Sequence, residues 1–180
     1  MVGEKEKKQL RLLAKKARAG DKQSFENLVL LTQEAIFRHC WRVLGNEYEA
    51  ADACQETFVK FWFNLDKFDT RLNVLPYLYK IATNNCLDQL RKLKRLVHFD
   101  DLEVGGEYWQ TNVACQGQKE AERQEMRVAV ASLPKNYRAA LSLYFFEGYK
   151  YQEIADMMLV PVNTVKSWIK RGKERLKEIV

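Results

Sequence analysis

Residues Tyr151 to Val180 hold two short helical patterns separated by Leu159-Val-Pro161, and no other segment constrains the fold as tightly. In the first pattern Ile154, Ala155 and Met158 point inward, and the small Ala155 lets a second helix cross closely. In the second pattern Val165, Ile169, Gly172 and Leu176 share one face. Thr164, Ser167, Arg171 and Arg175 share another face, flanked by Lys166, Lys170 and Lys173. Hydroxyls near the amino end of such a helix can reach base edges or phosphates, and cations farther along can neutralise a phosphate backbone. Asn163 can cap the helix and leave its first N–H groups aimed at an anion. Charge alone would leave a solvated basic face as the better reading. The complete helix, turn and basic helix favours contact with the major groove of DNA.

The whole chain agrees with a helical, nucleic-acid-facing protein without proving one. Its 180 residues allow one mid-sized domain or two small ones. Only three prolines and eight glycines favour mostly helix, and 12% aromatic residues with four tryptophans suffice for real cores. A net charge of +6 suits a polyanionic partner but is weak on its own. No apolar run is long enough to span a bilayer, and no signal-peptide core follows the Lys-rich amino terminus. The expectation is a cytoplasmic protein with no direct membrane insertion. Cys40, Cys54, Cys86 and Cys115 lack paired short spacing, so they read as reduced packed or surface thiols. His39 beside Cys40 is the one conceivable metal contribution; no metal site and no cofactor are expected.

Upstream, Phe25, Leu28, Val29, Ala35, Ile36, Cys40 and Val43 give near-helical spacing over 24–44, with Asp21 or Ser24 as cap. A second helix is expected over about 47–65, and Lys67–Asn73 reads as a polar loop. Pro76 suits the first turn of a third helix ending near Arg95, with Leu78, Ala82, Cys86, Leu90 and Leu93 as its stripe. From His98 to Gln118 the periodicity is lost. Asp100, Asp101, Glu103 and Glu107 stand there with no Lys or Arg before Lys119, as in an acidic linker. Phe99, Val104, Tyr108 and Trp109 dock either on a partner or on the protein itself. Helix resumes over 120–131, breaks at Ser132-Leu-Pro134, and runs on to about Phe146. The expected architecture is all-α: two small helical domains, 1–97 and 121–180, joined by a linker over 98–120.

Two further constellations lie in the first domain. Asp52, Gln55, Glu56 and Lys60 occupy a polar face opposite Phe58 and Trp62. Tyr77, Lys80, Asn84, Arg91 and Arg95 sit away from the apolar stripe of their helix. Aromatics and amides among cations are what a surface needs to hold unpaired bases and phosphates. Either helix alone is more simply an ordinary amphipathic surface.

Together with the terminal pair, these segments resemble the sigma-70 family of bacterial RNA polymerase sigma factors, in the compact extracytoplasmic function (ECF) subgroup. Asp52-Ala-Cys-Gln-Glu-Thr-Phe58, Tyr77-Leu-Tyr-Lys-Ile-Ala-Thr-Asn84, Leu133-Pro-Lys-Asn-Tyr-Arg138 and Thr164-Val-Lys-Ser167 occur in the family's order and approximate spacing. The resemblance covers about 24–95 and 122–177. It implies a non-catalytic specificity subunit with core RNA polymerase and promoter DNA as partners, an anti-sigma factor as a further partner, and no small-molecule substrate. By the resemblance, Asp52, Gln55, Glu56 and Phe58 face the polymerase clamp helices. The loop bearing Lys67, Phe68 and Asp69 holds a flipped base of the −10 element, with Tyr77, Lys80, Asn84 and Arg91 as further −10 contacts. Thr164, Lys166, Ser167, Lys170, Arg171 and Lys173 read the −35 element, and the linker threads the RNA exit path.

The chain departs from that pattern at several points. Tyr77 stands where tryptophan is usual, Lys150 where Ser or Thr caps a helix, and Gly172 where alanine is common. Leu159 replaces a turn glycine, so either the turn is built differently or a left-handed leucine costs on the order of 1 kcal/mol. Trp168 replaces arginine and either packs inside or stacks on the DNA backbone. A regulator of the response-regulator output type explains only 122–180. An enzyme of nucleic-acid metabolism lacks a phosphate loop, a metal-spaced carboxylate cluster and a nucleophile–base pair.

Overall fold

The computed structural model describes residues 4–96, 129–130 and 132–179. Cys115 and the apolar linker residues Phe99, Val104, Tyr108 and Trp109 lie outside them, as does most of the segment 98–131. Helix α1 spans Glu4–Arg18, α2 Lys22–Leu44 and α3 Glu47–Phe63; a short 3-10 turn, Leu65–Lys67, follows, and α4 spans Val74–Leu96. The carboxy-terminal set comprises α5, Lys135–Leu141, continued by a π-type turn over Ser142–Phe146, then α6, Tyr151–Met158, and α7, Val162–Ile179. No strand occurs among the described residues, and none of their helices is long and apolar enough to cross a membrane.

Local chemistry sets the helix ends. Asp21 caps α2, its Oδ1 accepting from the Ser24 N–H at 3.3 Å and its Oδ2 from the Ser24 hydroxyl at 2.6 Å. Those bonds hold its carboxyl below the usual range. Gly45 closes the helix at φ 79° with its N–H on the Trp41 carbonyl at 2.8 Å. Asn46 then caps α3 by accepting from the Glu49 N–H at 3.0 Å.

The first four helices pack α1 on α2, α2 on α3 and α4, and α3 on α4. Leu28, Ile36, Ala53, Phe61, Leu78 and Ala82 are buried at their centre. Aromatic rings close one end: Phe25 meets Trp62 at 4.7 Å, and Phe61 meets Phe68 at 5.5 Å and Tyr77 at 5.8 Å. Helix α1 was not anticipated. Its stripe of Leu10, Ala14 and Ala17 is buried, but two of the three are small and the rest of the helix is rich in lysine.

The carboxy-terminal helices bury Leu143, Ile154, Val165 and Ile169 among themselves and also pack on the first set, α5 against α2 and α6 against α4. Buried polar groups line that junction. His39 on α2 lies 2.8 Å from the Thr83 hydroxyl of α4 and 3.1 Å from the Ser142 hydroxyl beyond α5. Arg42 pairs with Glu147 at 2.8 Å, and the Tyr79 hydroxyl donates to the other oxygen of that carboxylate. Cys40, Cys54 and Cys86 are buried free thiols. A hydrogen bond with Cys86, and burial, push the Cys40 thiol well up.

Candidate nucleic-acid interface

Helix α7 presents its basic face to solvent because its apolar face is occupied. Val165 and Ile169 are buried, and a β-carbon placed on Gly172 would come within 2.8 Å of the Leu141 side chain. Lys166, Ser167, Lys170, Arg171 and Lys173 are exposed and Thr164 is half-buried, so five of the six expected duplex contacts stand fully in solvent. Three are already engaged. Ser167 donates to the Asn163 carbonyl at 2.9 Å, and the Lys173 ammonium lies 4.9 Å from the Phe145 ring centroid. Lys170 sits 3.9 Å from Glu174, whereas Lys166 and Arg171 have no ion-pair partner among the described residues.

The turn before α7 answers two questions left by the sequence. Leu159 adopts the left-handed conformation, φ 55° and ψ 46°, so the turn keeps its glycine-like geometry with a leucine in it. Asn163 is not the cap. The helix begins at Val162 and the Thr164 N–H donates to the Pro161 carbonyl at 2.9 Å, placing Asn163 inside the first turn. Trp168 is half-buried and packs on the core. At the start of α6 the Lys150 side chain has no acceptor, and capping comes from Glu153, whose Oε2 accepts from the Lys150 N–H at 2.8 Å.

Tyr77, Lys80, Asn84 and Arg91 lie along one face of α4 over about 21 Å. The first three are half-buried and Arg91, paired with Asp88, is exposed. Tyr77 is held against Phe68 at a ring separation of 5.0 Å. Asn84 donates to the Lys80 carbonyl at 2.8 Å.

Phe68 requires a correction. At 3% exposure it belongs to the aromatic cluster, and its ring has no surface with which to meet a base. Lys67 and Asp69 stand on the outside of the same loop. The Asp69 carboxylate accepts from Arg71 Nε at 2.9 Å and Nη2 at 2.8 Å, which holds its pKa at about 2. Sequence reasoning missed Arg11 and Arg18 on α1, which donate to the Arg71 and Phe68 carbonyls at 3.5 and 3.2 Å. The signal that could have found them was the spacing of Leu10, Ala14 and Ala17.

A groove of about 740 Å³ runs between α2 and α3, lined by Phe25, Val29, Phe58, Val59 and Trp62, with Gln33 and Gln55 among its polar atoms. Of the four residues expected to meet polymerase, Gln55 and Phe58 line it. Asp52 and Glu56 are exposed beside it, Glu56 in an ion pair of 2.8 Å with Lys60. Lys60 also donates to the buried Asn85 at 2.6 Å, which fixes the polar ridge to α4. Half-buried Glu49, desolvated and one turn from Asp52, has its pKa raised.

Known proteins share both halves of this arrangement. Residues 28–96 match the family described as Sigma-70 region 2, and residues 123–176 match Sigma-70, region 4. The chain is 31% identical over 174 residues to the ECF RNA polymerase sigma factor SigW of Bacillus subtilis, covering 91% of this chain and 92% of that protein. It is likewise 31% identical to the RNA polymerase sigma-H factor of Pseudomonas aeruginosa, across 91% of this chain and 90% of that one. The fold matches the sigma factor RpoE of Bartonella quintana, solved with the anti-sigma factor NepR, at a TM-score of 0.67 and 23% identity over 87% of this chain and 96% of RpoE. It also matches CnrH, solved with the cytosolic domain of CnrY, at a TM-score of 0.67 and 24% identity over 95% of this chain and 96% of CnrH.

Proposed function

This chain belongs to the sigma-70 family of RNA polymerase sigma factors, in the ECF group, and on that premise we propose how its surfaces divide the work of initiation. As such a factor it binds core RNA polymerase and directs promoter-specific transcription initiation. It supplies recognition and strand capture, the polymerase performs nucleotide addition, and it works in the cytoplasm with no cofactor or small-molecule substrate of its own.

The helices within 1–97 dock on the polymerase clamp and handle the −10 element. Gln55 and Phe58 offer an apolar and amide groove, and Asp52 and Glu56 give carboxylates at its side for arginines of the partner. The loop carrying Lys67 and Asp69 and the α4 stripe of Tyr77, Lys80, Asn84 and Arg91 take the unpaired strand. Stacking contributes roughly 1–3 kcal/mol per base, which offsets unpairing. The helices within 121–180 read the −35 duplex through Thr164, Lys166, Ser167, Lys170, Arg171 and Lys173. Phosphate contacts set register there and a few base contacts choose the site. The acidic segment 98–120 follows the RNA exit path. The matched fold of RpoE and CnrH, each solved with a second protein, supports an anti-sigma partner for this chain too.

The observation that carries the reading is the presence in one chain of an exposed basic face on α7 and a cationic aromatic stripe on α4. Run-off transcription by core polymerase with and without this chain tests it. Discrete start sites that depend on the chain are expected; specific duplex binding with no effect on the polymerase would favour the simple regulator. Gln55→Ala with Glu56→Ala is expected to weaken core association.

A further inference from the structure

Helix α1 lies outside both matched spans, 28–96 and 123–176, yet two of its side chains reach the loop that follows α3. Arg18 Nη1 donates to the Phe68 carbonyl at 3.2 Å, and Arg11 Nη1 donates to the Arg71 carbonyl at 3.5 Å. Those carbonyls flank the Asp69–Thr70 tip. Inside the loop, Asp69 Oδ1 accepts from the Arg71 N–H at 3.0 Å, and the Leu72 N–H donates to the Asp69 carbonyl at 2.9 Å. Beneath it, the Phe68 ring is seated on Phe61 and Tyr77 at 5.5 and 5.0 Å. The loop is therefore held by its own turn, by an aromatic seat and by guanidinium groups from a neighbouring helix.

That third restraint is distinct from the apolar packing of α1, although Arg11 also pairs with Glu4 of its own helix at 3.3 Å. The helix is fixed by Leu10, Ala14 and Ala17, whereas Arg18 is exposed and Arg11 half-buried. Exposed polar loops ordinarily sample several arrangements, and accepting an extruded base requires a rim held to within about 0.5 Å. A guanidinium can donate to a carbonyl at the loop's inner edge while leaving its outer edge open. Arg18 is also close enough to Asp69 to add to the effect of Arg71 on its carboxylate.

We infer that Arg11 and Arg18 are positioning residues for the loop Lys67–Asn73, fixing the geometry in which it accepts an unpaired nucleotide. The inference rests on the reading that this loop holds a base of the opened strand. Neither arginine has to touch DNA. Their bonds to two carbonyls, one on each side of the loop tip, resist displacement of Asp69 and Thr70 from that geometry.

The test uses the full chain with core RNA polymerase, and permanganate reactivity of unpaired thymines as the readout of promoter opening. Arg18→Ala is expected to slow opening by roughly threefold to tenfold, and Arg11→Ala with Arg18→Ala by more, with equal affinity for core polymerase. Lys15→Ala, an exposed change on the same helix that removes the same charge, is expected to open promoters at the wild-type rate. Arg18→Lys, which keeps the charge and one donor direction, should fall between and guards against a folding artefact. Opening at the wild-type rate by the double variant overturns the inference. So does an equal loss from Lys15→Ala, which would make charge rather than position the cause. Failure of the wild-type chain to open promoter DNA with core polymerase overturns the loop assignment itself, and is seen before any substitution is made.

Discussion

The Arg42 guanidinium of α2 lies 2.8 Å from the Glu147 carboxylate beyond α5, so the two halves of the chain share an ion pair across their junction. The side chains are 21% and 16% exposed, which places the pair between a surface bridge and a fully buried one. Arg42 also stands 4.1 Å from the Phe146 ring centroid, and the Tyr79 hydroxyl takes the second Glu147 oxygen. Arg42→Ala leaves a largely desolvated carboxylate with one partner and is expected to cost about 2 kcal/mol. Urea unfolding in a double-mutant cycle with Glu147→Gln measures it; a coupling near zero would show that the pair does not hold the halves together.

His39 makes the same junction sensitive to acid. Burial, and to a lesser degree the Arg42 charge, lower its pKa to about 3, and both ring nitrogens face hydroxyls, Thr83 and Ser142. Tyr79 and Arg42 also face it or stand near it. The folded state keeps the ring neutral, whereas the unfolded chain takes up a proton below about pH 6.5. Stability is therefore full above that pH and falls as the pH drops toward 3. Between about pH 7.5 and pH 5 the expected loss is about 2 kcal/mol from this group. Denaturant midpoints across that range, with His39→Gln as the variant lacking the slope, check it.

Leu159 is a strained residue whose side chain earns little in return, being 70% exposed at φ 55°. Leu159→Gly removes a left-handed penalty of about 1 kcal/mol or more, partly offset by the larger freedom of glycine in the unfolded chain. A rise in melting temperature of about 2 °C is expected. An unchanged or lower melting temperature would mean that Leu159 makes contacts that compensate its backbone.

The long helices of the first half were legible because their periodicity spans several turns and their caps are local: Asp21 and Ser24 lie next to the pattern they begin. The terminal pair was legible from the apolar spacing of Val165, Ile169, Gly172 and Leu176 and the turn at Pro161, although its cap, expected at Asn163, was not. Phe68 was not, because an aromatic in a polar loop has the same local appearance whether it stacks on a base or closes a cluster with Phe61 and Tyr77. The junction was invisible for another reason. His39 and Ser142 are 103 positions apart, and Arg42 and Glu147 are 105 apart, so no periodicity links them. Reading the chain as two globules on a linker missed that α5 and α6 pack directly on α2 and α4. At Leu159 the sequence posed the alternative correctly and only the backbone angle could decide it.

Lys166 and Arg171 allow the proposed duplex-reading face of α7 to be separated experimentally from the proposed polymerase-docking groove. Both are exposed on α7, neither has an ion-pair partner among the described residues, and both lie away from the groove of Gln55 and Phe58. Their ammonium and guanidinium groups are hydrated in the free protein and can neutralise phosphates without first breaking an internal pair. Neutralising each phosphate releases condensed counterions, so affinity falls with salt in proportion to the contacts made. Lys166→Ala with Arg171→Ala is expected to flatten the logarithmic salt dependence of promoter binding by about two units of slope. Association with core polymerase should be unaffected, since no atom of the groove changes. Filter binding of the polymerase complex over a salt series gives the slope, and a core-association assay gives the control. Loss of core association with an unchanged slope would reverse the roles assigned to the two surfaces.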